Sequence, residues 1–542
     1  MADSQEERHS SSLTICWESR NNRKRGEGMA VKVFAAIVIG STETEMKIFE
    51  LSPRKGMKEI DCINTRINLG LEAYSQGKLA VEKVEELCRV LKEFKVIMEG
   101  YKTDNYRLCG TSALREIRSA LITRDYIEKQ TGLKIDILSN SEQRFLDYKS
   151  IASESSAFET IIQNGTAIVD MGGSSIQISV FDNDKLITTQ NIRMGKVNTR
   201  ERLLPLAKNN AHFEKLIIEQ LEHELDGFGK LYQKDRQINN LIVVASELQE
   251  LMKFCLQDGN PIAVVPKETF MEIYQQIICM NPDEITRRFQ LSADSAYLVV
   301  PSAVFCRCLL EKLGAETIWM PAMNLTDGIS FDYAEKNKFI KFTHSFDEDI
   351  IAAARSIAKR YKSNQAHIRN MEDITLQMFD KMKSIHGMGT RERLLLQISV
   401  ILHNCGKFIS LTNVSECAFN IIMATEIIGL SHAEREMVAY VVKFNTSDFS
   451  YYKELAMGSS LSREEYLVIA KLTAILRVAN ALDRSHKQKF KNAVVTLRGD
   501  ELLISVNSQE DLTLEKGTLA DKTEFFEEVF NVHPVIRQKK KM

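Results

Sequence analysis

The spacing of apolar residues changes period along this chain, and the changes divide it. From Ala35 to Leu51, "AAIVIGSTETEMKIFEL" is an apolar run, a turn at Gly40, Ser41 and Thr42, and a segment of alternating polarity. That pattern predicts two strands joined as a hairpin. "AIVDMGGSSIQISVF", Ala167 to Phe181, repeats the shape. Lys78–Tyr101 carries apolar residues at helical spacing, and "YRLCGTSALREI" reads as a strand running into a helix. "NNLIVVA" and "SAYLVVPSAVF" read as further strands between amphipathic helices, and "PAMNLTDGISFDY" as a turn and then a helix. Beyond Lys341 strand patterns vanish, and helix follows helix from Phe346 to about Asp483. "NAVVTLRGDELLISV" and "DKTEFFEEVFNV" then predict two strands and one helix, and "RQKKK" a solvated basic end. The expected divisions are a disordered tail (1–30), two α/β lobes (31–155 and 156–338), a helical domain (339–490) and a small α+β unit (491–542).

The hairpins suggest chemistry. Gly172 and Gly173 can take backbone angles that aim successive amides at one anion, and Asp170 stands just before them. A phosphate suits such a turn, with Ser174 and Ser175 beside it and Gly40, Ser41 and Thr42 as a second copy. Turn chemistry alone also fits a plain hairpin.

Composition narrows the classes. The chain has 542 residues, 44% apolar and 27% charged, with a formal net charge of −2. No global field recruits nucleic acid or other polyanions, so a basic channel must be local. Ten cysteines include no CxxC pair, which fits a reduced cytoplasm better than a zinc or disulfide framework. No apolar run approaches the roughly 20 residues of a membrane helix, and no secretory signal pattern opens the chain. The expectation is a cytoplasmic protein without membrane or nucleic-acid partners.

The order of segments resembles the exopolyphosphatase / guanosine pentaphosphate phosphohydrolase family. The strings that carry it are "INLG" (Ile67–Gly70), "GTSALRE" (Gly110–Glu116), "IDILSNSEQ" (Ile135–Gln143), "VDMGGSS" (Val169–Ser175), "RMGKV" (Arg193–Val197), "LTDG" (Leu325–Gly328), "LHNCGKFI" (Leu402–Ile409) and "LRVANALDRSH" (Leu476–His486). The resemblance implies a duplicated actin-like, ribonuclease H-like two-lobe α/β core, then an all-α domain similar to HD-type phosphohydrolases and the small α+β unit. It implies a cleft in which a linear phosphoanhydride lies, its terminal phosphate held by the two Gly hairpins and by Arg115, whose guanidinium offers paired donors. Asp170 would hold Mg2+ or the attacking water.

Departures from the family pattern weaken that site. Val38 stands where the first hairpin normally carries an aspartate, so Mg2+ would be weakly held. "SNSEQ" supplies Glu142 and then Gln143, where the family's catalytic glutamate is the second acid. An amide positions water but cannot take its proton. Ala245-Ser246-Glu247 replaces a Gly-Gly-Thr turn, placing an acid that repels phosphate, and Thr326 stands where an arginine is common. In the helical domain the His-Asp pair is His403-Asn404, and residues 413–418, "NVSECA", contain no histidine, so no metal is expected there. His403 is expected as a core histidine, and the domain as a docking or dimerisation wall, with a homodimer one outcome. The catalytic candidates are Glu142, Gln143 and Asp170. Two readings follow: hydrolysis of terminal phosphate from polyphosphate or guanosine pentaphosphate at reduced rate, or a degenerate polyphosphate- or alarmone-binding regulator. An actin-like kinase is weaker, because "ASEL" replaces the adenosine-side glycines.

Overall fold

The run Lys32–Ile39 is buried from Phe34 onward, and in a computed structural model it forms β1, the middle strand of a sheet covered on both faces. The structure describes residues 31–153, 155–207, 213–256, 264–342, 344–456, 458–459 and 461–539. The predicted tail 1–30 lies outside these residues.

β1 is followed by β2 (Glu43–Ser52), β3 (Gly56–Arg66), β4 (Tyr106–Gly110) and β5 (Ile135–Ile137), in the order β3-β2-β1-β4-β5. The first three strands form an antiparallel meander, and β4 and β5 add in parallel. Lobe II repeats the plan with β6 (Thr166–Met171), β7 (Ile176–Asp182), β8 (Lys185–Ile192), β9 (Asn240–Val244), β10 (Val264–Pro266) and β11 (Thr317–Trp319), ordered β10-β11-β9-β6-β7-β8. β6 to β8 are the meander; β9 and β11 run parallel to β6, and β10 closes the edge antiparallel. The duplicated two-lobe core expected from the sequence is present.

Strand periodicity decides what faces the middle of the molecule. Ala35, Ile37 and Ile39 of β1 join the outer core of lobe I, whereas Phe34, Ala36 and Val38 pack with Leu138, Leu146, Leu325 and Ile329. In β6, Ala167, Val169 and Met171 face the lobe II core, while Ile168 packs with Tyr148, Ile151 and Trp319. One helix, Asn140–Ala152, thus supplies Leu146 to the lobe I inner cluster and Tyr148 and Ile151 to that of lobe II.

Two expectations are corrected. "SAYLVVPSAVF" is not a strand but the middle of helix Ala293–Leu313, capped by Ser292, whose side chain accepts from the Ser295 amide, and ended by Gly314 in the left-handed region. A helix buried on most sides is apolar over most of its surface, and its middle turns therefore lack the 3.6-residue signature. This helix is the one described segment long and apolar enough to cross a membrane, and 67% of its window is buried in the protein. The C-terminal unit has three strands where two were expected: Arg537 and Lys539, exposed as a solvated basic end requires, belong to β14 (His533–Lys539), which pairs in parallel with β13 (Glu501–Asn507). β12 (Val494–Arg498) completes this sheet, and its Val495 lies in one apolar cluster with Phe526 and with Ile469 and Leu472 of helix Arg463–Leu482.

Candidate functional site

Two family-type strings turn out to fasten the two hairpins. The carbonyls of Ser41 and Thr42 accept from the amides of Gly70 (2.7 Å), Ile67 (3.1 Å) and Asn68 (3.0 Å), all in "INLG". In lobe II the Gly172 carbonyl accepts from Lys196 (3.1 Å), and that of Gly173 from Val197 (3.1 Å) and Asn198 (3.0 Å), at the start of helix Lys196–Ala207. A Cβ on Gly195 would fall 2.3 Å from the Ser174 carbonyl carbon, so that position needs glycine for close approach. The Gly40 amide donates to Glu43 O (2.8 Å) and the Gly172 amide to Ser175 O (3.0 Å), which closes both turns and removes these two donors from anion binding.

The turns also touch each other. A Cβ on Gly173 would lie 2.6 Å from Ser41 Oγ and 2.9 Å from Tyr74 Oη. Tyr74 Oη in turn bonds Ser41 Oγ (2.5 Å) and Ser112 Oγ (2.6 Å). A phosphate between Ser41 and Gly173 therefore requires the lobes to separate. Ser174 and Ser175 are buried, and Ser174 O accepts from Asn198 Nδ2 at 2.8 Å.

Helix Asn140–Ala152 brings the remaining groups to the lobe junction. Its N-cap is Ser139, whose Oγ accepts from the Glu142 amide (3.2 Å) while Glu142 Oε2 accepts from the Ser139 amide (3.0 Å). This capping box commits the Glu142 carboxylate to the backbone. Arg115 braces the same loop, donating from Nη1 to Leu138 O at 2.6 Å and from Nη2 to Asn140 Oδ1.

Gln143 and Asp147, four residues apart, share one face of the helix, and their side chains are hydrogen-bonded. Asp147 is buried; burial first, and then the Asp170 charge, raise its pKa well above the carboxylate range, against the Gln143 bond and the Arg144 charge. Asp170, near the end of β6, is 8% exposed, and among the described residues its Oδ2 has no hydrogen-bond partner. Burial pushes its pKa up to about 6, with Lys196 and Arg144 pulling it down, Glu247 pushing it up and Arg115 pulling it down. The junction thus holds two carboxylates, one on each lobe's inner face. Asp147 was not among the residues expected from the sequence; its signal there is an acid directly after the apolar pair Phe145-Leu146, one helical turn after Gln143.

The other polar groups are spoken for. Arg144 donates from Nε to Gln177 Oε1 (2.7 Å), from Nη1 to Thr189 Oγ1, and from Nη2 to Glu426 Oε2 (2.6 Å), joining lobe II to the helical domain. Glu247 was expected to repel phosphate; instead it is 2% exposed, bonded by Lys196 Nζ at 2.6 Å and by Ser302 Oγ. Its charge is neutralised, and Lys196 is drawn toward it. Asp327 is likewise paired with Lys47 at 2.9 Å, and Thr326 donates to Glu45 at 2.8 Å.

Residues 48–337 match the Ppx/GppA phosphatase family and residues 351–523 match Ppx/GppA phosphatase domain III. A guanosine-5'-triphosphate,3'-diphosphate pyrophosphatase of Photobacterium profundum is 20% identical over 500 residues, covering 90% of this chain and 96% of that protein. One from Pseudoalteromonas translucida is 21% identical over 493 residues, covering 87% and 91%. The crystal structure of an exopolyphosphatase-like protein superposes with TM-score 0.50 at 17% identity, over 57% of this chain and 99% of that one, a likeness of fold. With the duplicated hairpins, the strings that hold them and a family match across more than half its length, the chain belongs to the Ppx/GppA phosphatase family.

Proposed function

We propose that this protein binds the terminal phosphates of a linear phosphoanhydride, guanosine pentaphosphate or polyphosphate, at the lobe junction and releases orthophosphate slowly. The observation that supports this best is the pair Asp147 and Asp170: two buried carboxylates of raised pKa, with Asp170 Oδ2 unpartnered. Two like charges in one buried place are stable only with protons or a cation between them. Mg2+ is commonly held by one or two carboxylates and substrate phosphates, so Asp170, with its unpartnered Oδ2, fits that ion. When bound, Mg2+ supplies charge neutralisation at the phosphoryl oxygens. Gln143 orients the attacking water, Asp147 takes its proton, and the shortened chain leaves as phosphate is released. Arg144 holds positive charge near both aspartates and Lys196 near Asp170, and Arg115 fixes the loop that begins the helix of Asp147. The reaction is slow in this reading because the base is buried and Gln143, the more open position, has no basicity.

The readout is orthophosphate release from each substrate by wild type, Asp147→Asn and Asp170→Asn. Each variant is expected to lose tenfold or more. A wild type that releases phosphate as fast as either variant would remove the aspartate pair from the reaction. The second reading, binding without hydrolysis, is favoured by Gln143 and by the Ser41–Gly173 contact; saturable binding without release would select it.

A linked test needs no turnover. Because the folded pKa of Asp170 lies near 6 and the unfolded value near 3.9, the folded state keeps a proton over that window. The penalty of the buried charge is full above about pH 6 and fades as pH falls toward 4. Mg2+ needs the carboxylate, so it is expected to raise the melting temperature at pH 7.5 and not at pH 5. At 100 times its Kd the gain is about 2.7 kcal/mol. Asp170→Asn should melt higher without Mg2+ and lose the response; an unchanged response would place the ion elsewhere.

A further inference from the structure

Three chain segments of the helical domain end against one another. Asn364 caps helix Gln365–Lys381, helix Thr390–Leu402 ends at His403-Asn404, and helix Arg463–Leu482 ends at Asp483. Beneath them His367 Nδ1 bonds Asp483 Oδ2 (2.7 Å), His367 Nε2 bonds His403 Nε2 (3.0 Å), and His403 Nδ1 donates to Val400 O (2.6 Å). Both nitrogens of His367 and of His403 are thereby used, and the His486 ring lies flat on His367 at 3.7 Å between centroids. Asp483 is turned inward, its other oxygen accepting from the Gln488 amide at 2.8 Å.

Above His486 opens a cavity of about 520 Å3 whose walls include Lys362, Ser363, Asn404, Lys407 and the rings of Tyr361 and Phe408. Among the described residues no carboxylate lines it. Ser363 is 9% exposed, and among the described residues its Oγ has no hydrogen-bond partner. Among the described residues Lys362, Lys407 and Arg484 have no acidic partner, and Arg484 is close enough to Lys407 to help hold its pKa below the usual lysine value, after burial. Like charges gathered without counter-charge, around an orphaned hydroxyl, are complementary to an anion. Phe408 meets Tyr361 edge to face at 5.7 Å, yet is 54% exposed, so one flat apolar surface stays open beside the donors. The volume lies within the range of small-molecule sites.

We propose that this cavity is a second ligand site, separate from the lobe junction, for a phosphorylated nucleoside. Lys407, Asn404 and Ser363 would take the phosphate, and Phe408 the base. The site stands independently of the activity proposed above.

Calorimetric titration of the full chain with GDP and with pyrophosphate tests it. Lys407 and Phe408 are both exposed, so their variants are expected to fold. GDP should bind saturably; Lys407→Glu should weaken it at least tenfold and leave orthophosphate release unchanged. Phe408→Ala should weaken GDP several-fold and pyrophosphate little. Absence of saturable GDP binding at millimolar concentration, or GDP binding that Lys407→Glu leaves intact, overturns the site. Pyrophosphate binding equal to that of GDP, with Phe408→Ala without effect on either, overturns the nucleoside part.

Discussion

Gln143→Glu is expected to raise Mg2+-dependent orthophosphate release by about 10²–10⁴-fold, the usual worth of a positioned general base. Gln143 is only half-buried, one helical turn from the fully enclosed Asp147, so a carboxylate there can exchange protons with water while Asp147 cannot do so readily. The two side chains match in shape, so no repacking is needed. The charge is the obstacle. A third acid beside Asp147 and Asp170 adds repulsion to groups whose pKa values are already raised, and without Mg2+ the variant should melt below wild type. Release measured across a Mg2+ titration, with melting curves at both ends, separates these effects. A rate unchanged by Gln143→Glu at saturating Mg2+ would leave Asp147 as the only base. Adding Val38→Asp supplies the first-lobe carboxylate that the family resemblance implies, but Val38 packs with Leu138 and Leu146. An acid buried there costs stability unless a cation meets it, so the double variant should depend on Mg2+ for folding as well as rate.

How much of this was legible in the residues varies with what they do. The hairpins and their repetition could be read because turn glycines and period-two strands are local signals. The long helix around Pro301 could not, because burial on most sides erases periodicity and leaves an apolar run that fits either state. Asp147 was hidden for a related reason: its importance comes from Asp170, 23 positions away in the sequence (170 − 147), and only tertiary packing sets them together. The same holds for Glu247, whose repulsive reading assumed an open turn. Lys196 and Ser302 supply its counter-charge and hydrogen bond from two other helices. Val38 and Gln143 were legible as substitutions within recognisable strings, and Glu142 was legible as an acid but not as a cap.

Gly328→Ala is expected to be among the most damaging single-methyl additions in the molecule, and it would report on the site through stability. Gly328 lies in helix Leu325–Lys336, which packs on helix Asn140–Ala152, and a Cβ there would fall 2.0 Å from Leu146 O and 2.6 Å from its carbonyl carbon. The obstructing atoms are backbone, so no rotamer change relieves the clash and one helix must move. Overpacking of well-filled interiors costs about 1–3 kcal/mol and at times more; a backbone clash belongs at the upper end. At about 2–4 °C per kcal/mol, the two-lobe core should lose roughly 6–12 °C. The displaced helix carries Gln143, Arg144 and Asp147, so the Mg2+-induced rise in melting temperature should shrink as well, even where the fold survives. Gly227→Ala is the control, because a Cβ at Gly227 meets nothing within 4 Å and the residue sits in a helix, where alanine is preferred. Thermal melts of both variants with and without Mg2+ decide the matter. A Gly328→Ala protein as stable and as Mg2+-responsive as Gly227→Ala would mean that the two helices separate freely, and that the alignment of Asp147 with Asp170 does not depend on their close packing.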